Sequence, residues 1–231
     1  MNELLILLSI FLLYGLVVAF SRLFGREGLF AWVSIATLLA NIEVLILVRA
    51  FGMEQTLGNV LFASTFLATD VISELYGKES AKKAANIGIA TSFTFFLMTV
   101  LWQIIEPSAN DLSYVHLSAL FKTAPRVLAA SLISYTIVER FDVWAYHAIW
   151  EKTAKRTGDK SSFLWLRNNL ATITSQFINA VLYTFLAFYK TYDNQTLLSI
   201  VSSSLVIFLA TSLLDTPFLY LAKKINLLQK S

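Results

Sequence analysis

The sequence predicts an all-α polytopic membrane protein, and three observations predict it. Hydrophobic residues make up 57% of the 231 positions and charged residues only 14%, a balance that ordinary soluble domains do not carry. Apolar runs of about twenty residues recur along the whole chain, each able to cross the roughly 30 Å hydrocarbon core as a helix. The runs are continuous, whereas barrel strands would be segments of about ten residues with alternating polarity.

Seven stretches meet the length criterion: residues 3–20, 28–48, 56–76, 84–105, 125–148, 166–189 and 197–222. The first follows Met1-Asn2-Glu3, without the basic flank or small-x-small cleavage site of a signal peptide, so it is expected to be retained. The second carries Asn41 and Glu43, the third Asp70 and Glu74, and the fourth no charge at all. The connection 106–124 is the longest, and its Tyr114, His116, Leu117, Leu120 and Phe121 are spaced for a short interfacial helix. The fifth stretch holds Arg126, Glu139, Arg140 and Asp142, the sixth a set of amides, and the seventh Asp215-Thr216-Pro217. There is no internal repeat, and a single domain over residues 1–231 is expected.

Positive charge orients the bundle, because short cytoplasmic loops collect Lys and Arg. Of the 18 basic residues, thirteen fall at one end of a seven-span arrangement: Arg22, Arg26, Lys78, Lys82, Lys83, Lys152, Lys155, Arg156, Lys160, Arg167, Lys223, Lys224 and Lys230. Arg49, Lys122, Arg126 and Lys190 fall at the other, and Arg140 within a span. The bias places the N-terminus outside and the C-terminus inside. It also accounts for the net charge of +3 without a nucleic-acid-binding patch. The absence of cysteine removes thiolate metal sites and Cys nucleophiles.

An acidic side chain in the centre of a membrane helix costs about 2.5 to 3.5 kcal/mol on insertion scales, so it points to a cavity, a partner or a ligand. Asn59, Ala63, Phe66, Asp70, Ser73, Glu74 and Gly77 stack on one helical face. Glu74 could alternatively pair with Lys78, four residues on. In the sixth stretch Asn168, Thr172, Ser175 and Asn179 lie within about 60° of one another, flanked by Asn169 and Gln176. Interhelical hydrogen bonds would explain one or two of these six; together they make a surface for a neutral planar heterocycle, since amides both donate and accept. Tyr135, Glu139, Asp142 and Tyr146 share a face of the fifth stretch, with Arg126 and Arg140 turned away and expected to pair with Asp70, Asp215 or Glu43. Pro217 frees a backbone carbonyl beside Asp215.

These residues resemble a known family, the queuosine precursor transporters, also called the vitamin uptake transporter (VUT) family. The resemblance rests on Phe66-Leu-Ala-Thr-Asp70-Val-Ile-Ser-Glu74-Leu-Tyr-Gly77-Lys78, on Arg126 with Asp142, on Leu166-Arg167-Asn168-Asn169 followed by Ser175-Gln176, and on Asp215-Thr-Pro217-Phe218. It covers about residues 28–222, a six-helix core with an additional N-terminal helix. It implies import of 7-cyano- and 7-aminomethyl-7-deazaguanine for tRNA queuosine modification, through a multi-pass protein of a prokaryotic plasma membrane. Where family members often carry Asp after Ser-Gln, this chain has Asn179, an amide in place of a carboxylate.

The expected binding set is Asp70, Glu74, Asn168, Asn169, Gln176, Asn179, Asp142 and Phe66, in a midplane pocket between the third, fifth and sixth spans. Arg126, Arg140 and Asp215 are expected to serve structure or charge pairing. Phe66, Trp144, Tyr146, Phe177 and Tyr183 stand near enough in sequence to offer ring faces. No metal or cofactor is expected, and no Gly-rich phosphate loop suggests ATP hydrolysis by this chain. Energising subunits, a proton or downstream metabolism could drive uptake, and a homo-oligomer is compatible with the small-residue spacing Ala36-x-x-x-Ala40. The alternatives are a transporter of another purine-like or vitamin-like heterocycle and, with less support, an intramembrane aspartyl enzyme. His116 and His147 lie apart without a zinc-protease motif, so the chain is not expected to be an enzyme.

Overall fold

The computed structural model describes residues 1–122, 124–159 and 162–228, which form seven helices and one two-stranded hairpin. Two of the basic residues counted above, Lys160 and Lys230, lie outside the described residues.

Helix α1, Asn2–Glu43, has 42 residues and would be about 63 Å long if straight, twice the hydrocarbon thickness. It reverses at Gly25, whose φ of 62° and ψ of −138° demand a residue without Cβ. The reversal is fixed at its far end: the Asn2 amide donates to the Arg49 carbonyl at 2.9 Å, and the Phe51 N–H to the Glu3 carboxylate at 3.2 Å. Phe20 meets Trp32 edge-on at 5.3 Å between the two arms. One helix assignment therefore contains the first two sequence stretches as antiparallel arms.

The second arm ends at Glu43, five residues before the expected limit of the second stretch. Strands β1, Leu47–Ala50, and β2, Met53–Thr56, pair antiparallel with Ala50 opposite Met53. Phe51 and Gly52 between them have φ of 54° and 74°, the two positive values a type I′ hairpin turn requires. Hydropathy cannot tell a short apolar strand from the end of a helix. The all-helical expectation is corrected here by one hairpin, which also removes Thr56 from the third helix.

Helix α2, Asn59–Tyr76, is followed across Gly77 by α3, Lys78–Ile104. The long connection contains α4, Tyr114–Lys122, at whose start the Ser113 and Tyr114 N–H groups donate to the Asp111 carboxylate and whose Phe121 packs on Phe95 and Trp102. Helix α5, Pro125–Thr157, runs nine residues past the expected span before Gly158 stops it. Helices α6, Leu164–Phe188, and α7, Asn194–Leu228, complete the bundle, α7 continuing through Pro217.

Four helices, α1, α3, α6 and α7, are long and apolar enough to cross a membrane. Helices α2 and α5, which hold the third and fifth expected spans, are not among them; both carry buried acids, and for α2 its position explains the composition. It packs against α1, α3, α5 and α7, and every residue from Val60 to Ser73 is buried except the partly buried Phe62. A helix wrapped by protein can carry polar groups that a lipid-facing helix cannot. Hydrogen bonds between helices fix its surroundings: Trp32 donates to Ser64, Thr37 to the Tyr135 hydroxyl, and Asn41 bridges Ser92 and Ser131.

The two ends of the bundle differ in charge. Lys78 pairs with Glu151 at 3.7 Å, while Arg26 and Lys83 both lie over the Phe30 ring, gathering the Gly25 reversal, the α2–α3 junction and the end of α5 at one end. The hairpin, α4 and the α6–α7 connection occupy the other.

Candidate functional site

The buried polar residues of α2, α5, α6 and α7 form two assemblies of opposite electrostatic character. In the first, nearer the basic end, Glu74 lies between two cations. Its carboxylate is 2.6 Å from the Arg167 guanidinium and 2.5 Å from the Lys223 ammonium, and it accepts from the Tyr146 hydroxyl at 3.2 Å. Arg167 is fully buried, donates to the Ser162 carbonyl and lies over the Trp150 ring at 4.3 Å. The open question over Glu74 thus has a third answer: Lys78 goes to Glu151, and Glu74 joins α2 to α6 and α7. Nothing in the sequence pattern pairs Glu74 with Arg167, 93 positions away.

The second assembly lies one to two turns further into the bundle and has carboxylates without cations. Asp70, Glu139, Asp142 and Asp215 are each at most 1% exposed, and none forms an ion pair among the described residues. Asp70 sits within electrostatic reach of the other three. One Asp70 oxygen accepts from Thr172 at 3.2 Å, while the other has no partner. The Thr69 and Ser175 hydroxyls lie beside Glu139 and Asp142 but donate to carbonyls of their own helices, so both oxygens of Glu139, both of Asp142 and both polar atoms of the Gln176 side chain are buried without a well-aligned hydrogen bond. A buried polar group left unpaired costs about 1–3 kcal/mol, and a charged one more, so stability alone does not account for such a cluster.

Helix geometry brings these groups together. Asn168, Thr172, Ser175, Gln176 and Asn179 all fall on the buried face of α6, while Trp165, Leu170 and Phe177 are exposed on the other side. Tyr135, Glu139, Asp142 and Tyr146 form the buried face of α5. Asn168 donates to Asp215 at 2.6 Å and to Thr216 at 3.1 Å, and Asn169, partly exposed, donates to Thr216 at 2.7 Å, so these two amides tie α6 to α7. Phe66 is buried against Phe62 at 5.4 Å. Trp144 and Phe177 point away from the cluster, at 58% and 52% exposure.

Arg126 and Arg140 do not take the carboxylate partners expected of them. Arg126 donates to the Leu186 and Tyr189 carbonyls at the end of α6, and Arg140 to the Asn86 side chain. Both are exposed, where the last carbonyls of a helix or an amide satisfy a guanidinium more cheaply than a buried acid. Glu139 is a cluster member that the sequence reading assigned no role, although its i, i+3 relation to Asp142 was visible.

At the hairpin end, a cavity of about 580 Å³ opens between β2, α6 and α7 and reaches Asn59, Asn179 and Tyr183. These three residues also line a narrow crevice that continues to Phe62 and Tyr135, one turn from Glu139.

Helices that enclose an unpaired acid-and-amide cluster beneath a polar cavity belong here to a membrane transporter. A family model described as "Putative vitamin uptake transporter" matches residues 56–222, and the chain belongs to that family. The match begins at the end of β2 and includes all residues of the cluster. A relative from Bacillus subtilis (strain 168), named "Probable queuosine precursor transporter", is 37% identical over 211 residues, covering 90% of this chain and 89% of its own length. No solved structure matches. The protein is a transporter for a small molecule and not an enzyme.

Proposed function

We infer that this protein imports a 7-deazaguanine precursor of queuosine, the 7-cyano form, the 7-aminomethyl form or both, across a plasma membrane for tRNA modification. The observation that carries the reading is the buried cluster around Asp70, in which one Asp70 oxygen, the Glu139 and Asp142 carboxyl groups and the Gln176 amide lack hydrogen-bond partners, in a chain 37% identical to a relative named for queuosine precursors. The chain crosses the membrane seven times, the two arms of α1 counting as two, with the N-terminus outside. The thirteen basic residues then lie inside.

The chemistry of the cluster suits a guanine-like edge. A carboxylate accepts from the ring N–H and exocyclic amine together, which Asp70 can do through its unpartnered oxygen, with Asp142 or Glu139 beside it. The Gln176 amide offers a donor to the ring carbonyl. An aminomethyl cation would meet unpaired carboxylates, and a nitrile would meet the Asn179 amide.

Glu74, Arg167 and Lys223 close the basic end below the cluster, whereas the hairpin end is open as far as Asn179. Cargo enters from the hairpin end, and release inside requires these ion pairs to part, as in alternating access. The test is to express the gene in a bacterium that lacks both queuosine precursor synthesis and its own importer, supply each deazaguanine separately at low concentration, and measure queuosine in tRNA. Queuosine should reappear with at least one precursor; its absence with the protein present in the membrane would point to another heterocycle.

A further inference from the structure

The cavity at the hairpin end differs in chemistry from the acidic cluster. The cluster offers acceptors, whereas the unpartnered atoms buried in the cavity wall are mainly donors. Gln55, 4% exposed, has a side-chain nitrogen without a partner, and so does Asn59; the Tyr183 hydroxyl is likewise buried and unpartnered. Asn179 makes no side-chain hydrogen bond among the described residues. The only charged residues lining the cavity among those described are Arg49 and Glu54, exposed and opposite each other in the hairpin register. Phe188 and Tyr192 supply ring faces.

A site whose wall carries unpaired donors and ring faces, with no net charge, suits a neutral planar heterocycle bound by its acceptor edge: a ring carbonyl, a ring nitrogen or a nitrile. Its volume of about 580 Å³ is within the usual range for small-molecule sites. We propose that this vestibule is a binding station of its own, in which Gln55, Asn59 and Tyr183 turn their unpaired donors from the wall onto the acceptor edge of the cargo before its donor edge reaches Asp70. The crevice shared by Asn59, Asn179 and Tyr183 joins the two stations. The station rests on the import reading for the identity of its cargo, but not for its existence.

The chain contains no cysteine, so Ser199→Cys, at an exposed position lining the cavity, is a single-site reporter. Cells carrying it are treated with a membrane-impermeant thiol reagent, with and without 7-cyano-7-deazaguanine. The reagent should label the cysteine and the compound should slow labelling, also when Asp70→Asn is added. Gln55→Ala or Asn59→Ala should raise the half-protecting concentration by about tenfold for each hydrogen bond lost. No labelling even after the membrane is opened, protection that vanishes with Asp70→Asn, or protection indifferent to Gln55→Ala and Asn59→Ala would overturn the station. Uptake measured in the same cells separates the two readings: uptake without protection sinks the station and leaves import, while protection without uptake keeps the station and sinks import.

Discussion

At the scale of single residues, the same side chain type has two fates in this bundle. Glu74 has two cations and a hydroxyl, whereas Asp70 has one hydroxyl and a free oxygen. The two carboxylates, one turn apart on α2, should therefore respond differently to loss of charge. Asp70→Asn keeps the shape but removes an acceptor, so uptake is expected to fall to background while the protein remains in the membrane at its normal level. Undiminished uptake by this variant would remove Asp70 from the binding site. Glu74→Gln instead leaves Arg167 buried without its counter-charge, at a cost of about 3–5 kcal/mol. Its signature is a lower melting temperature in detergent, with less folded protein recovered. A melting temperature equal to wild type would show that the ion pairs do not hold α2 to α6 and α7.

At the scale of elements, the arrangement depends on close approaches that the sequence pattern does not advertise. Gly88 on α3 lies directly against the Tyr135 hydroxyl, so an added methyl group there would collide with it. Gly88→Ala must displace Tyr135, which accepts from Thr37 and lines the crevice above Glu139. Overpacking of this kind costs about 1–3 kcal/mol. The variant should unfold at lower temperature and transport more slowly, and Gly88→Ala combined with Tyr135→Phe should recover part of the stability. Failure of the double variant to recover any would place the strain elsewhere. The buried faces of α5 and α6 were legible because their polar residues recur at helical spacing. The hairpin was not, because the short apolar start of β1 reads as a continuation of the second stretch.

At the scale of the whole molecule, the charge asymmetry predicts a topology that labelling can read. Ser108 lies in the connection before α4, and Lys155 near the end of α5, both exposed. In intact cells, Ser108→Cys should react with a membrane-impermeant thiol reagent and Lys155→Cys should react only after the membrane is opened. The reverse pattern would invert the orientation and make the vestibule face inward.

The sequence by itself determined that the chain is a helical membrane protein, which helical faces carry the polar groups, and which family it resembles. Those properties follow from hydropathy and from the 3.6-residue period, both local along the chain. Only the tertiary structure decided which acids are neutralised and which stay unpaired. Glu74 meets Arg167 and Lys223 from helices far along the chain, while Asp70, Glu139, Asp142 and Asp215 converge from three helices without a cation. The reason is geometric: periodicity fixes the direction of a side chain on its own helix, but the partner it meets depends on how the helices cross, and that is set by packing across the whole bundle.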